Sequence, residues 1–153
     1  MASVYLRKGD QILLLYRQGS SIVSNLWIGS AGGHFEQGEL NDAKACVLRE
    51  LTEELGLEES AITDLTLRYV TMRYFDGELR QNYYFFAELK EGSAHYLESN
   101  EGITQWFSLR ELKDLPMPFT ARHMIDHYLE YGQFNHILYG GLANNEGVIF
   151  IPL

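Results

Sequence analysis

The stretch Gly32–Leu57, GGHFEQGELNDAKACVLRELTEELGL, decides how this chain is read. It closes on Arg49-Glu50-Leu51-Thr52-Glu53-Glu54-Leu55-Gly56-Leu57, which puts Glu50, Glu53 and Glu54 on a short helix behind a Gly-Gly turn. At 100° per residue, Glu53 stands about 60° to one side of Glu50 and Glu54 about 40° to the other, so the carboxylates share an arc of roughly 100°. Leu48, Leu51 and Leu55 fall on a neighbouring arc suited to packing on a sheet. Glu50 and Glu54 are an i,i+4 like-charge pair, which costs roughly a few tenths of a kcal/mol without a counter-ion. Arg49 offsets part of that repulsion, and a hard divalent cation offsets more. Mg²⁺ and Mn²⁺ take carboxylate oxygens, keep several waters and bridge to substrate phosphates. Gly56 is a C-terminal stop and Asn41 or Asp42 a candidate N-cap, which predicts a helix over about residues 42–55. The competing reading is an ordinary surface helix with glutamates on its wet face.

The segment resembles the Nudix box, G-x5-E-x7-R-E-U-x-E-E-x-G-U with U aliphatic. Gly33, His34–Gly38 and Glu39 match its opening; Arg49-Glu50-Leu51, Glu53-Glu54 and Gly56-Leu57 match its close. One departure stands out: nine residues, Leu40–Leu48, separate Glu39 from Arg49 where the pattern has seven. The extra residues fall in the loop before the helix or at its first turn, and either Glu39 or Asn41 takes the place of the first motif glutamate.

The resemblance implies an α/β fold, a Nudix-type α/β/α sandwich around a mixed β-sheet, as one domain over residues 1–153 with the box at 33–57. It implies hydrolysis of a nucleoside diphosphate linked to another group, with Mg²⁺ or Mn²⁺. Glu50, Glu53 and Glu54 match the family's metal ligands, which the carbonyl of Gly32 often joins; Arg49 matches the arginine that orients a glutamate. Glu53 and Glu54 are catalytic candidates on the same ground. The family often recruits one more glutamate from a loop beyond the box, as ligand or base; Glu101 in SNEGITQWF is preferred here over Glu98. Tyr74 lies seventeen residues past Leu57, near an offset that accompanies diadenosine-polyphosphate hydrolysis in some members. Arg73, Arg80, Arg17 and Lys8 are candidates for distal phosphates, since arginine suits bidentate contacts, although each also reads as a surface residue.

A length of 153 residues suits one domain with a real core. The composition, 46% hydrophobic and 22% charged, is that of an ordinary globular chain. A formal net charge of −9 argues against a nucleic-acid polymer as partner. It leaves a phosphate substrate open, because a bound metal inverts the local field. Cys46 is the only cysteine, which excludes an intrachain disulfide and fits a reducing cytosol, so the expected location is cytoplasmic. Arg7, Lys8 and Asp10 interrupt any signal-like apolar run, and no run approaches a membrane span.

Ser3–Arg7 and Gln11–Arg17 read as strands, QILLLYR with the near-continuous apolar character of a buried one. Gln18–Asn25 reads as a loop, Leu26–Gly29 as a short strand anchored by Trp27, and Glu58–Asp64 as an acidic connection. Leu65–Tyr74 and Leu79–Leu89 form a hairpin around Asp76-Gly77. Ile103–Ser108 is a further strand, Ser108 caps a short helix or turn to Leu115, and Pro116-Met117-Pro118-Phe119 leads into an amphipathic helix over Thr120–Tyr131. His123 and His127 are i,i+4 on that helix with no third metal ligand nearby. His136–Leu142 and Val148–Leu153 form a C-terminal β-hairpin whose simpler reading is sheet extension or edge cover. The sharper one is a substrate lid or a subunit contact, and a homodimer is left open.

The leading expectation is a MutT-like nucleoside triphosphate pyrophosphohydrolase of the 8-oxo-dGTP type. Dinucleoside polyphosphate and ADP-ribose hydrolysis are alternatives. A non-catalytic nucleotide-sensing module is another, disfavoured because such modules usually lose the box carboxylates that this chain keeps. Isoprenoid diphosphate isomerisation is disfavoured because it needs a cysteine outside the box.

Overall fold

The computed structural model describes residues 1–18, 25–93 and 97–153. Apolar residues on both faces make β2 (Gln11–Arg17) an interior strand. It pairs antiparallel with β1 (Ala2–Lys8), β3 (Leu26–Ile28) and β7 (Gly102–Ser108). β1 runs parallel to β6 (Glu78–Leu89), which forms a long antiparallel hairpin with β5 (Ile62–Phe75). β8 (Tyr139–Ala143) joins β5 in parallel, and β9 (Val148–Pro152) closes that edge antiparallel. The mixed sheet has the order β3-β2-β1-β6-β5-β8-β9, with β4 (Ala31–Gly33) on β1 and β7 on β2. The C-terminal hairpin thus extends the sheet. The loop expected at Gln18–Asn25 falls mostly on residues 19–24, outside the described residues.

A helix covers each face. Cys46, Val47, Leu51 and Leu55 of α1 (Ala43–Leu55) pack on Val4, Leu6, Leu13 and Phe85. Met124, Ile125 and Tyr128 of α2 (Phe119–Glu130) pack on Tyr5, Ile12, Leu14, Tyr84 and Phe86 from the other side. This is the α/β/α sandwich with a mixed sheet. Strand parity decides which residues share a face, because neighbours along a strand point oppositely.

Most expected boundaries move by a residue or two. The larger changes are at Glu58–Asp64, where β5 begins already at Ile62, which pairs with Leu89 and is buried, and at His136, where the expected strand begins only at Tyr139. Asp76 and Gly77 both take positive φ, 51° and 78°, the backbone of a tight two-residue hairpin turn.

The box helix begins and ends as its sequence dictates. Asp42 Oδ1 accepts from the Ala45 N–H at 3.0 Å, and Gly56 stops the helix at φ 66° with its N–H directed to Leu51 and Thr52. A side chain at Gly56 would meet nothing within 4 Å. Gly56→Ala is therefore expected to cost only the left-handed backbone penalty, about 1 kcal/mol. A urea melt with a lower midpoint and an unchanged slope would bear this out; an unchanged midpoint would refute it.

β1 changes partner along its length. Ala2–Val4 pair with β4, whereas Leu6–Lys8 pair with β2. Ser30 spans the division: its Oγ accepts from the Leu6 N–H at 2.8 Å and donates to the Leu13 carbonyl at 2.6 Å. That switch brings Gly32 and Gly33 beside α1.

Candidate active site

The Gly-Gly turn is required by close approach. A Cβ on Gly32 would lie 2.6 Å from the Ala2 carbonyl oxygen, and one on Gly33 would overlap the Glu50 carboxylate. β4 can therefore lie against both β1 and α1 only without side chains here. The Gly32 N–H donates to Glu54 Oε2 at 3.0 Å.

Arg49 organises the acids around it. Its Nε donates to Glu39 Oε1 at 2.7 Å and its Nη2 to Glu39 Oε2 at 3.1 Å, a bidentate pair. Its Nη1 donates to Glu50 Oε1 and Glu53 Oε2, both at 2.9 Å, and Nη2 also reaches the His34 carbonyl at 3.1 Å. Hydrogen bonding to Arg49, with the Glu36 N–H second, holds the Glu39 carboxyl down at about 2. Glu39 is buried while Asn41 is exposed, so Glu39 is the residue paired with Arg49. The two extra residues are absorbed in the turn between the short 3₁₀ segment Gln37–Glu39 and α1.

Glu50, Glu53 and Glu54 share an arc of α1, but their carboxylates do not all share one partner. Glu53 leans one turn back to Arg49, and its side chain is 56% exposed. Glu50 is buried against Gly33, and Glu54 turns to Gly32. Among the described residues no three acidic, histidine or cysteine side chains close on one point. The physical reason is Arg49, a cation already in place at i−4 to Glu53.

Glu54 is the electrostatically stressed member. Burial pushes its carboxyl up to about 7; the Gly32 hydrogen bond opposes this, and the charges of Glu50 and Glu101 add to it. Glu101 thus reaches the same region from the loop before β7, its Oε2 held by Arg17 Nη2 at 3.1 Å. Arg17 had only a generic expectation as a phosphate contact; its cross-strand position against Gly102 is the signal that places it beside Glu101. Glu98 instead borders a groove of about 220 Å³ lined with Ser99, Gly102, Ile103 and Thr104.

Arg73 and Arg80 do not join this cluster. They face each other across the β5–β6 hairpin in register with Tyr69 and Tyr84, which belong to the α2 side. The Arg73 guanidinium lies 4.2 Å from the Phe119 ring centre of α2 and 4.5 Å from that of Phe75. Arg80 pairs loosely with Glu78 at 3.7 Å. Tyr74 has the opposite parity, faces the α1 side and is 69% exposed. It lines a depression of about 360 Å³ with Phe75, Asp76 and Asn145, well separated in sequence and strand position from Glu54. Tyr83, Tyr84 and Phe85 mostly pack in the core. On α2, His127 Nδ1 is bonded to Tyr69 Oη at 2.9 Å.

The donor set fits a hard cation that keeps part of its hydration. Two neighbouring carboxylates with a third nearby, one of them driven toward its neutral form by burial and by the charges of the other two, match the one or two carboxylates by which Mg²⁺ is usually bound.

A family model described as the NUDIX domain matches residues 1–128. No curated protein matches the chain. Among solved structures, a mutator MutT protein from Bacillus halodurans is similar at 21% identity and TM-score 0.64, over 99% of this chain and 95% of that one. A C. elegans Ap4A hydrolase in a binary complex is 14% identical with TM-score 0.65, covering 88% and 96%. A MutT NUDIX hydrolase from Burkholderia pseudomallei is 26% identical with TM-score 0.57, covering 84% and 93%.

Proposed function

This chain belongs to the Nudix family of hydrolases, and on that premise we propose that it is a Mg²⁺- or Mn²⁺-dependent pyrophosphohydrolase of nucleoside triphosphates, of the MutT kind that removes 8-oxo-dGTP. The observation that carries this reading is Glu54, half-buried, hydrogen-bonded to Gly32 and pressed by Glu50 and Glu101. The likeness to the two MutT structures supports the substrate class.

Glu50 and Glu54, with the Gly32 carbonyl, would hold the cation. Bound there, it would neutralise phosphate oxygens and acidify a water. Arg49 fixes Glu50 and draws Glu53 aside, so both Arg49 and Glu53 act as positioning residues. Glu101, anchored through Oε2 by Arg17, would take a proton from the attacking water. Nucleotide hydrolysis of this type is a soluble small-molecule activity and calls for no nucleic-acid polymer. Among the described residues no helix is long and apolar enough to cross a membrane.

A panel of 8-oxo-dGTP, dGTP, diadenosine polyphosphates and ADP-ribose, assayed with Mg²⁺, tests this reading. Preferential release of pyrophosphate from the oxidised triphosphate is expected. Tight nucleotide binding with no turnover would instead mark a sensing module. A second reading, dinucleoside polyphosphate hydrolysis, is favoured by the exposed Tyr74 and the likeness to the Ap4A hydrolase.

Cation binding requires Glu54 to lose a proton that it holds up to about pH 7. Mg²⁺ affinity is therefore expected to rise by up to about tenfold per pH unit below that point and to level off above it. Titration calorimetry in two buffers of different ionisation enthalpy should show proton release near neutrality. Affinity that stays flat across this range would contradict the assignment of Glu54.

A further inference from the structure

We propose that the α1-side face of β5, β8 and β9, beyond the end of α1, is the contact between two copies of this chain. The register places Met72, Leu142 and Ile149 side by side on three neighbouring strands, with Ile151 in the next row against Gly140. Leu153 lies over Gly140. Tyr74 and Leu79, paired across the hairpin, carry the same face to its tip.

These side chains are far from buried. Ile149 is 73% exposed, Leu142 and Leu79 63%, Ile151 49% and Met72 38%. On the opposite face of the same strands, Tyr139 and Phe150 are covered by packing against Tyr69 and His127. The hairpin is therefore finished on one side and bare on the other.

Three features select a second copy as the occupant. Each side chain offers on the order of 100 Å², so with Tyr74 and Leu153 the patch approaches the roughly 800 Å² per partner of a standard interface and exceeds most patches left bare on a monomer. The aligned rows carry no charged side chain: Gln81 is the polar residue beside Met72, and Val70 and Gly140 fill the next row. A basic or acidic partner would find no complement there, whereas an apolar face is complementary to itself, as a two-fold contact requires. β9 is also an edge strand, paired on one side to β8 alone among the described residues.

The chain's net charge of −9 makes two copies repel. An apolar contact must then tighten as salt screens that repulsion, whereas an ion-paired contact would loosen. The same contact covers Tyr74, so a dimer also argues against the dinucleoside reading that relies on it.

Sedimentation equilibrium of the full chain over a range of concentration and salt is the test. A mass twice that of the chain, with self-association strengthened by salt, is expected. Ile149→Lys and Leu142→Lys should each weaken it by about 100-fold while leaving circular dichroism and nucleotide turnover unchanged. Three results overturn the proposal: wild type at the single-chain mass throughout, a dimer that dissociates as salt rises, or a dimer indifferent to both folded variants. The first two need no variant, so a misfolded variant does not leave the matter open.

Discussion

Glu54→Gln is expected to lower kcat for nucleotide hydrolysis by about 10²–10³-fold and to leave the metal-free protein at least as stable as before. The loss follows from removing a full negative charge where a cation and developing phosphate charge must be held. The stability result follows from the direction of the Glu54 shift. Its carboxyl sits at about 7 in the folded chain against an ordinary 4.5, so the folded state holds the extra proton. Such a group contributes stability in full below the unfolded value, and the contribution is lost as pH rises through the folded one. Without metal, wild type should therefore lose on the order of 2 kcal/mol between about pH 4.5 and 7, once the shift is discounted for the solvent that still reaches this carboxyl. Glutamine, which keeps the acceptor for the Gly32 N–H and never ionises, should lose none of it. Saturating Mg²⁺ should restore wild type and not the variant. Thermal melts at two pH values, with and without Mg²⁺, measure both halves, and a variant with wild-type turnover would remove Glu54 from the site.

Arg49→Ala is expected to be the most damaging single change to the site's architecture. Glu39 and Glu50 are both buried, and each depends on this guanidinium. Taking away one partner of a buried ion pair leaves the others unpaired, so a fall in Tm on the order of 10 °C and loss of most turnover are expected. Lysine keeps the charge without the planar fork that grips Glu39 at two points, and should recover only part. The pH dependence separates this from a general packing defect. The Glu39 carboxyl is held at about 2 against an ordinary 4.5. Its contribution is thus present above the unfolded value and lost as pH falls through the folded one. The gap between wild type and Arg49→Ala should be widest near neutrality and close towards about pH 2. A gap constant with pH would show that Arg49 acts through packing alone.

The sequence made the box helix legible because its signals are local. Asp42, the leucine stripe and Gly56 each act within a turn of their neighbours, and the structure keeps them within a residue of the expected limits. The hairpin at Asp76-Gly77 was legible for the same reason. The parallel pairings β1–β6 and β5–β8 had no local signal, since nothing in either strand names a partner so far along the chain. The side of the sheet taken by Arg73 was hidden by a single irregularity. Counting in twos from Leu65 and Leu67, which pack on the α1 side, would put Arg73 there too. A bulge between Leu67 and Tyr69 reverses the phase, and Tyr69 onward faces α2. The divergence of Glu53 from Glu54 was hidden differently: helical angles place the Cβ atoms, but Arg49 decides where the carboxylates go.

The parallel pairing of β1 with β6, Ala2 opposite Tyr83 and Arg7 opposite Glu88, sets an order of events during synthesis. The Gly-Gly turn and α1 leave the ribosome before the strand that flanks β1, so a nascent chain shorter than Leu89 holds the whole acidic motif with only part of its floor. Closing so distant a contact is slow relative to forming a local hairpin. Until β6 arrives, α1 has Val4, Leu6 and Leu13 to pack on but not Phe85, and the hydrolytic centre can be completed only after Leu89 has been made.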